Sequence, residues 1–203
     1  MKLAQSPISF RQVLPSALGI LILGLGLSLL RPFEHSVESF AWLVIPYGVV
    51  FGAALYLLGY CVSCSPWTKT KAIHGLLMTL NQLFRNFSWT HIIIVSILAG
   101  VGEELLIRGV LQSFLVDSVG AFWGVTVASL VFGLLHFMTK AYVLLTFGLG
   151  LLFGLAFHYS GNIILVMIDH TVYDIIAFAM IVKYPHLLGL KPIDTTIVTT
   201  DQL

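Results

Sequence analysis

Uninterrupted apolar runs of about 18 residues or more recur along this chain, and each is long enough to cross roughly 30 Å of hydrocarbon. Nothing else in the sequence constrains the fold as strongly. Of its 203 residues, 58% are hydrophobic and only 9% charged, against about a quarter charged in a soluble domain. The expected fold is therefore all-α: a polytopic transmembrane helix bundle with no separate soluble domain. A formal net charge of +1, with basic residues scattered rather than clustered, gives no footprint for nucleic acid.

Six spans are expected, at about 13–30, 41–62, 91–115, 121–138, 141–158 and 162–182. The first follows Lys2 and Arg11, as a signal peptide would. It is long for a signal core, however, and no small-residue cleavage site precedes Arg31-Pro32, so a retained helix is expected. Arg31, Pro32, Glu34, His35 and Glu38 form a polar loop, and Ser65-Pro66 breaks the chain after the second span. Little more than Thr139-Lys140 separates the fourth and fifth spans, which makes them antiparallel neighbours. No internal repeat is evident.

Segment 71–88 has a different pattern. Ile73, Leu76, Leu77, Leu80, Leu83, Phe84 and Phe87 share one helical face, with Lys71, His74, Asn81, Gln82 and Arg85 largely on the other. An amphipathic helix in the membrane interface is expected; a helix packed on the bundle is the alternative. The organisation is then 1–90, a two-span region with the amphipathic helix; 91–183, a membrane core; and 184–203, a tail.

With six spans, Lys2, Arg11, Lys69, Lys71, Arg85, Lys140, Lys183 and Lys191 share one side and only Arg31 lies on the other. The positive-inside bias puts both termini in the cytoplasm. Cys61 and Cys64 then face a reducing compartment, which disfavours a structural disulfide. A single CxxC is also too few ligands for a zinc site, so the pair reads as two thiols at a helix end.

Chemistry concentrates after residue 100. Within the third span stands Gly102-Glu103-Glu104-Leu105-Leu106-Ile107-Arg108. A charge at mid-membrane costs several kcal/mol, roughly, so such residues have partners or roles. Glu104 and Arg108, four apart, can pair along one face. Glu103 points about 100° away and has no local partner, which leaves it free to shuttle a proton. His136 ends the fourth span after Phe132, and the sixth carries Asp169-His170-Thr171-Val172-Tyr173-Asp174, with His170 and Asp174 one turn apart. These groups can converge on one hydrated pocket, or each can be a satisfied polar bridge between helices.

The three motifs, Glu103-Glu104-x-x-x-Arg108, Phe132-x-x-x-His136 and His170-x-x-x-Asp174, resemble those of the CAAX prenyl endopeptidase and bacteriocin-processing (CPBP, or Abi) intramembrane proteases. The resemblance covers roughly residues 90–180, in family order and at family-like spacing. It implies a glutamate-dependent membrane endopeptidase with a cytoplasm-accessible pocket and no cofactor. By analogy Glu103 activates water with help from His136, His170 and residue 174 stabilise the oxyanion, and Glu104 and Arg108 hold the catalytic helix in register. Asp174 departs from the commoner asparagine. An amide donates to an oxyanion, whereas an aspartate donates only when protonated and otherwise orients His170 as an imidazolium.

One geometric tension follows from these spans. Glu103 lies about 12 residues, or roughly 18 Å, from the cytoplasmic start of its helix, yet His136 falls near the cytoplasmic end of its own. Tilt or an earlier helix start would close that gap.

Other residues read as structural. Gly148, Gly150 and Gly154 include a Gly-x-x-x-Gly that favours close helix approach. Trp42, Trp67 and Trp89 suit interface anchors, Asp169 a helix bridge and His158 a span boundary; His35, His91 and His186 carry no expected role. Three functional classes fit: a water-activating peptidase acting on a membrane-associated, prenylated or leader-bearing, peptide or protein; a zinc hydrolase using the same Glu/His set, although no His-Glu-x-x-His is present; and a non-catalytic scaffold or immunity-type protein. The compact bundle fits a bacterial inner membrane with the lipid bilayer as its partner. Substrate identity and oligomeric state are not written in the sequence.

Overall fold

The computed structural model describes residues 6–30, 41–64 and 71–190, without the side chains of 41, 42 and 62–64. Lys2, the loop from Arg31 to Glu38, Ser65-Pro66, Trp67, Lys69, Lys191 and the rest of the tail lie outside these residues, as do the side chains of Trp42 and Cys64. Cys61 carries an exposed free thiol.

A backbone in lipid must satisfy its own amide groups, and the described residues do so entirely with helices. In chain order these are α1 (Phe10–Leu30), α2 (Ala41–Cys64), α3 (Lys71–Phe84), α4 (Trp89–Glu104), a π-helical stretch (Leu105–Gln112), α5 (Ser113–Val119), α6 (Ala121–Leu135), α7 (Lys140–Ser160), α8 (Ile163–Val182) and a 3-10 turn (Pro185–Leu188). Five helical stretches are long and apolar enough to cross a membrane: Phe10–Leu30, Leu43–Cys61, Trp89–Val119, Lys140–Ser160 and Ile163–Val182.

The fourth expected span is shorter than its sequence suggests. Gly120, at φ 84°, turns the chain into α6, which runs 15 residues and stops at Leu135, a length of about 22 Å. It stops because Thr139 is already extended, its hydroxyl accepting from the Tyr142 amide to cap α7. The turn must be completed in the few residues between. The preceding helix is correspondingly long, 31 residues from Trp89 to Val119. It starts two residues before the expected position, at a capping box in which Ser88 Oγ accepts from the His91 amide and His91 Nδ1 from the Ser88 amide. The same His91 ring stacks on Phe10, centroids 4.4 Å apart.

The bundle is inside-out relative to a soluble protein. Ile22, Leu29, Phe122 and Leu144 face outward, whereas the largest fully buried side chain is Arg108, with Gln112, Glu104 and Asp169 buried beside it. α1 runs alongside α4, and α4 packs antiparallel to α8. Glycines set both contacts at one level: a Cβ at Gly102 would come within 2.9 Å of the Leu21 backbone on α1, and one at Gly100 would collide with Thr171 on α8. α6 and α7 form the expected antiparallel hairpin, and α2 flanks α8.

α3 packs on the bundle. Leu76 and Asn81 are buried, and Asn81 Nδ2 donates to the Ile181 carbonyl at 2.6 Å. The sequence pattern assigned Asn81 to the polar face; the free carbonyl near the end of α8 gives that amide a buried partner. Lys71 and His74 stay exposed.

Candidate functional site

The site is built around the point where α4 becomes π-helical. In an α-helix, side chains four apart drift by about 40°. A π-helix, with more residues per turn, drifts them by a similar angle in the opposite sense; here Arg108 and Gln112 both reach α7 and Arg108 reaches back to Glu104. Arg108 Nη1 donates to Glu104 Oε1 at 2.9 Å and Arg108 Nη2 to the Gly150 carbonyl at 3.0 Å. One turn on, Gln112 Nε2 donates to the Gly154 carbonyl at 2.9 Å. The Gly-x-x-x-Gly of α7 makes this approach possible: a Cβ at Gly150 would press on Phe132 and Ser129, and one at Gly154 would come within 2.8 Å of Gln112 Oε1. Gly148, outside that pair, has open space beside it.

Arg108 is also sandwiched by rings, its guanidinium carbon 4.7 Å from the Phe132 centroid and 5.6 Å from that of Phe153. Aromatic faces and a carboxylate together offset the desolvation of a buried cation.

Glu104 Oε1 accepts a second hydrogen bond, from His170 Nδ1 on α8 at 2.8 Å. The expected ion pair of Glu104 and Arg108 is therefore one arm of a link between two helices. With Nδ1–H donating to Glu104, His170 presents Nε2 towards Asp174, whose Oδ2 lies 3.7 Å away. Phe153 stacks on the ring, centroids 4.8 Å apart, so the imidazole is held in plane.

Glu103 points the other way, towards α6. Its Oε2 lies 3.7 Å from His136 Nε2 and has no hydrogen-bond partner among the described residues. His136 caps the end of α6, and its Nδ1 meets the Phe132 carbonyl at 2.9 Å. A carbonyl only accepts, so Nδ1 carries the proton and Nε2 faces Glu103. At 3.7 Å the two atoms are too far apart to bond directly, and a water beside them reaches both.

The short α6 removes the geometric tension. Glu103 and His136 lie at similar distances from the Gly120 turn, 17 and 16 residues along their helices, so the two side chains come level deep in the bundle. Glu103, Glu104, Arg108, His136, His170 and Asp174 thus converge, in two layers. Glu104 and Arg108 are completely buried behind, while Glu103, His136, His170 and Asp174 border a cavity of about 460 Å³. The cavity is mostly apolar and extends to Leu76, Leu80 and Phe84 of α3.

Sequence reasoning missed several participants. Phe132 supplies both a ring for Arg108 and the carbonyl that orients His136; its position four residues before a histidine was the signal. Phe153, Gly150 and Gln112 gave no signal apart from the glycine pattern. Asp169 does not form the expected bridging hydrogen bond. It is fully buried on the α2 side, its backbone and carboxylate pressed against Gly52, and neither carboxylate oxygen has a partner among the described residues. His158 and His186 are exposed and do not line the cavity, and His91 serves the capping box and stacks on Phe10. Among the described residues, no three His, Cys, Asp or Glu side chains are grouped so as to hold a metal ion.

Residues 85–176 match the sequence profile of the type II CAAX prenyl endopeptidase Rce1-like family. The uncharacterized protein YpbD of Bacillus subtilis (strain 168) is 31% identical over 109 residues, an alignment covering 52% of each chain. The chain thus spans about half the length of the curated relative it matches. No solved structure matches it at a significant level. Glu103, Glu104, Arg108, His136, His170 and Asp174 all fall inside the matched segment.

Proposed function

We propose, from the match of residues 85–176 to the Rce1-like type II CAAX prenyl endopeptidases, that the protein is an intramembrane peptidase whose water nucleophile is activated by Glu103 and His136. One observation carries the reading: two groups able to take a proton, 3.7 Å apart on different helices, at the wall of a deep apolar cavity. Water held between Glu103 Oε2 and His136 Nε2 gives its proton to this pair as its oxygen attacks the substrate carbonyl. The proton is returned to the leaving amine as the C–N bond breaks. A charged His170 offers Nε2–H to the oxyanion. Glu104 and Arg108 act by holding α4, α7 and α8 together, so that Glu103 cannot turn away.

The apolar walls suit a membrane-associated substrate, prenylated or leader-bearing, lying partly in the cavity. The protein is a multi-pass membrane protein. We place it in a bacterial inner membrane with both termini cytoplasmic, on the side to which the basic residues are biased.

The test is a comparison of membrane-peptide termini between wild-type cells and cells carrying Glu103→Gln. Cleavages present in the first and absent from the second identify substrates; identical termini in both would refute the peptidase. Asp174, a carboxylate near the expected oxyanion, favours a scaffold as the second reading. A cellular phenotype that survives Glu103→Gln would select it.

A further inference from the structure

The donors around the cavity are nearly all committed. His136 Nδ1 is bound to the Phe132 carbonyl, and His170 Nδ1 and Arg108 Nη1 to Glu104. Thr146 Oγ1, on the cavity wall, donates back to the Tyr142 carbonyl at 2.8 Å. The His170 Nε2 proton is contested by Asp174 Oδ2, and Asp174 itself is an acceptor when ionised. A tetrahedral intermediate formed here would place a full negative charge among Glu103, Glu104 and Asp174, with one shared donor. Oxyanion stabilisation needs more than that.

Two tyrosine hydroxyls on the cavity wall, those of Tyr142 and Tyr173, are neutral donors outside that set. Tyr142 stands in the first turn of α7, placed by the Thr139 cap. It begins the helical stripe Tyr142, Thr146, Leu149, Phe153 that lines the cavity. Its ring meets His136 edge-on, centroids 6.0 Å apart, and it lines the same cavity as Glu103, His170 and Asp174. It therefore shares one wall with the water-activating pair and the oxyanion side. No hydrogen bond of its hydroxyl to another group occurs among the described residues. Tyr173 differs: its ring packs against Tyr56 and Phe153, centroids 6.2 Å away in each case, rather than against His136.

We propose that Tyr142 is a further catalytic residue, its hydroxyl donating a hydrogen bond to the oxyanion of the tetrahedral intermediate. The proposal rests on the peptidase reading. As water oxygen bonds to the carbonyl carbon, the carbonyl π pair moves to oxygen and is met by Tyr142 O–H. The hydroxyl keeps its proton throughout. On collapse the pair re-forms the carbonyl, the C–N bond breaks, and the amine takes its proton from the Glu103–His136 pair.

The test uses the full-length protein in lipid vesicles and a fluorogenic peptide spanning a cleavage site found in the comparison of membrane-peptide termini. Tyr142→Phe should lower kcat about 100-fold, with KM within about twofold, because the bond exists only after attack. Asp174→Asn added to Tyr142→Phe should recover about tenfold by returning an amide donor to the same charge. A difluorotyrosine at position 142, which keeps the shape and donates more strongly, should raise kcat. It provides the reading even if the phenylalanine variant misfolds. Unchanged kcat in Tyr142→Phe, a loss confined to KM, or a kcat indifferent to fluorination would overturn the proposal. Turnover surviving Glu103→Gln would instead remove the peptidase reading beneath it, so the two failures are distinct.

Discussion

His170 Nδ1 donates to Glu104 Oε1 at 2.8 Å, joining α8 to α4 across 66 residues of sequence. Glu104 is thereby the shared acceptor for Arg108 and His170 in a fully buried site. Adjacent glutamates thus have opposite duties, and they should respond oppositely to the same substitution.

Glu104→Gln removes the carboxylate paired with the buried Arg108 and should cost about 3–5 kcal/mol of stability. Glu103→Gln, at a side chain facing the cavity, should stay within about 0.5 kcal/mol of wild type while ending turnover. Unfolding in detergent micelles, measured beside activity, separates the two. Equal stability losses would show that Glu103 is structural as well.

The two rungs from the π-helical stretch to α7 predict graded effects. Arg108→Lys keeps a charge but cannot reach both Glu104 and the Gly150 carbonyl as a planar fork does, at a cost of about 1–3 kcal/mol. Gln112→Leu loses the bond to the Gly154 carbonyl and should cost about 1 kcal/mol. Thermal unfolding of both proteins in one detergent checks the order.

His136 sits at the cavity edge with its side chain 27% exposed, so His136→Ala should leave the fold nearly intact. Its loss should appear in kcat, roughly 10²–10⁴-fold. His158→Ala, at an exposed position on α7, should retain full turnover. A matched loss at both histidines would indicate a general effect on the bundle.

Glycines beside the site should not tolerate a methyl group. Gly100→Ala would drive a Cβ into Thr171, and Gly102→Ala would push α1 away at Leu21; each should cost about 1–3 kcal/mol or more by overpacking. Gly148→Ala meets nothing within 4 Å and should be neutral or stabilising. Expression level and melting temperature of the three variants measure the contrast.

Much of this was legible beforehand. Long apolar runs identify the helices because lipid admits no other way to satisfy a backbone. The turn at Thr139 was marked in the sequence, whereas only the structure shows the one at Gly120 and that the two shorten α6. The Glu104–Arg108 pair was readable because it is local, four residues apart on one helix. Asn81 was misassigned because a helical pattern records polarity and not partners: its burial depends on a carbonyl 100 residues away.

The linear order of residues thus determined the fold class, the helical segments and which side chains carry charge into the membrane, since these follow from hydrophobic length and local spacing. Tertiary structure alone decided that Glu103 faces His136 and Glu104 holds His170, that Phe132 and Phe153 enclose Arg108, and that the Asp169 carboxylate has no hydrogen-bond partner among the described residues. These contacts depend on helix depth and rotation. Both are set by close packing at glycines and by the length of neighbouring helices, and no single segment encodes them.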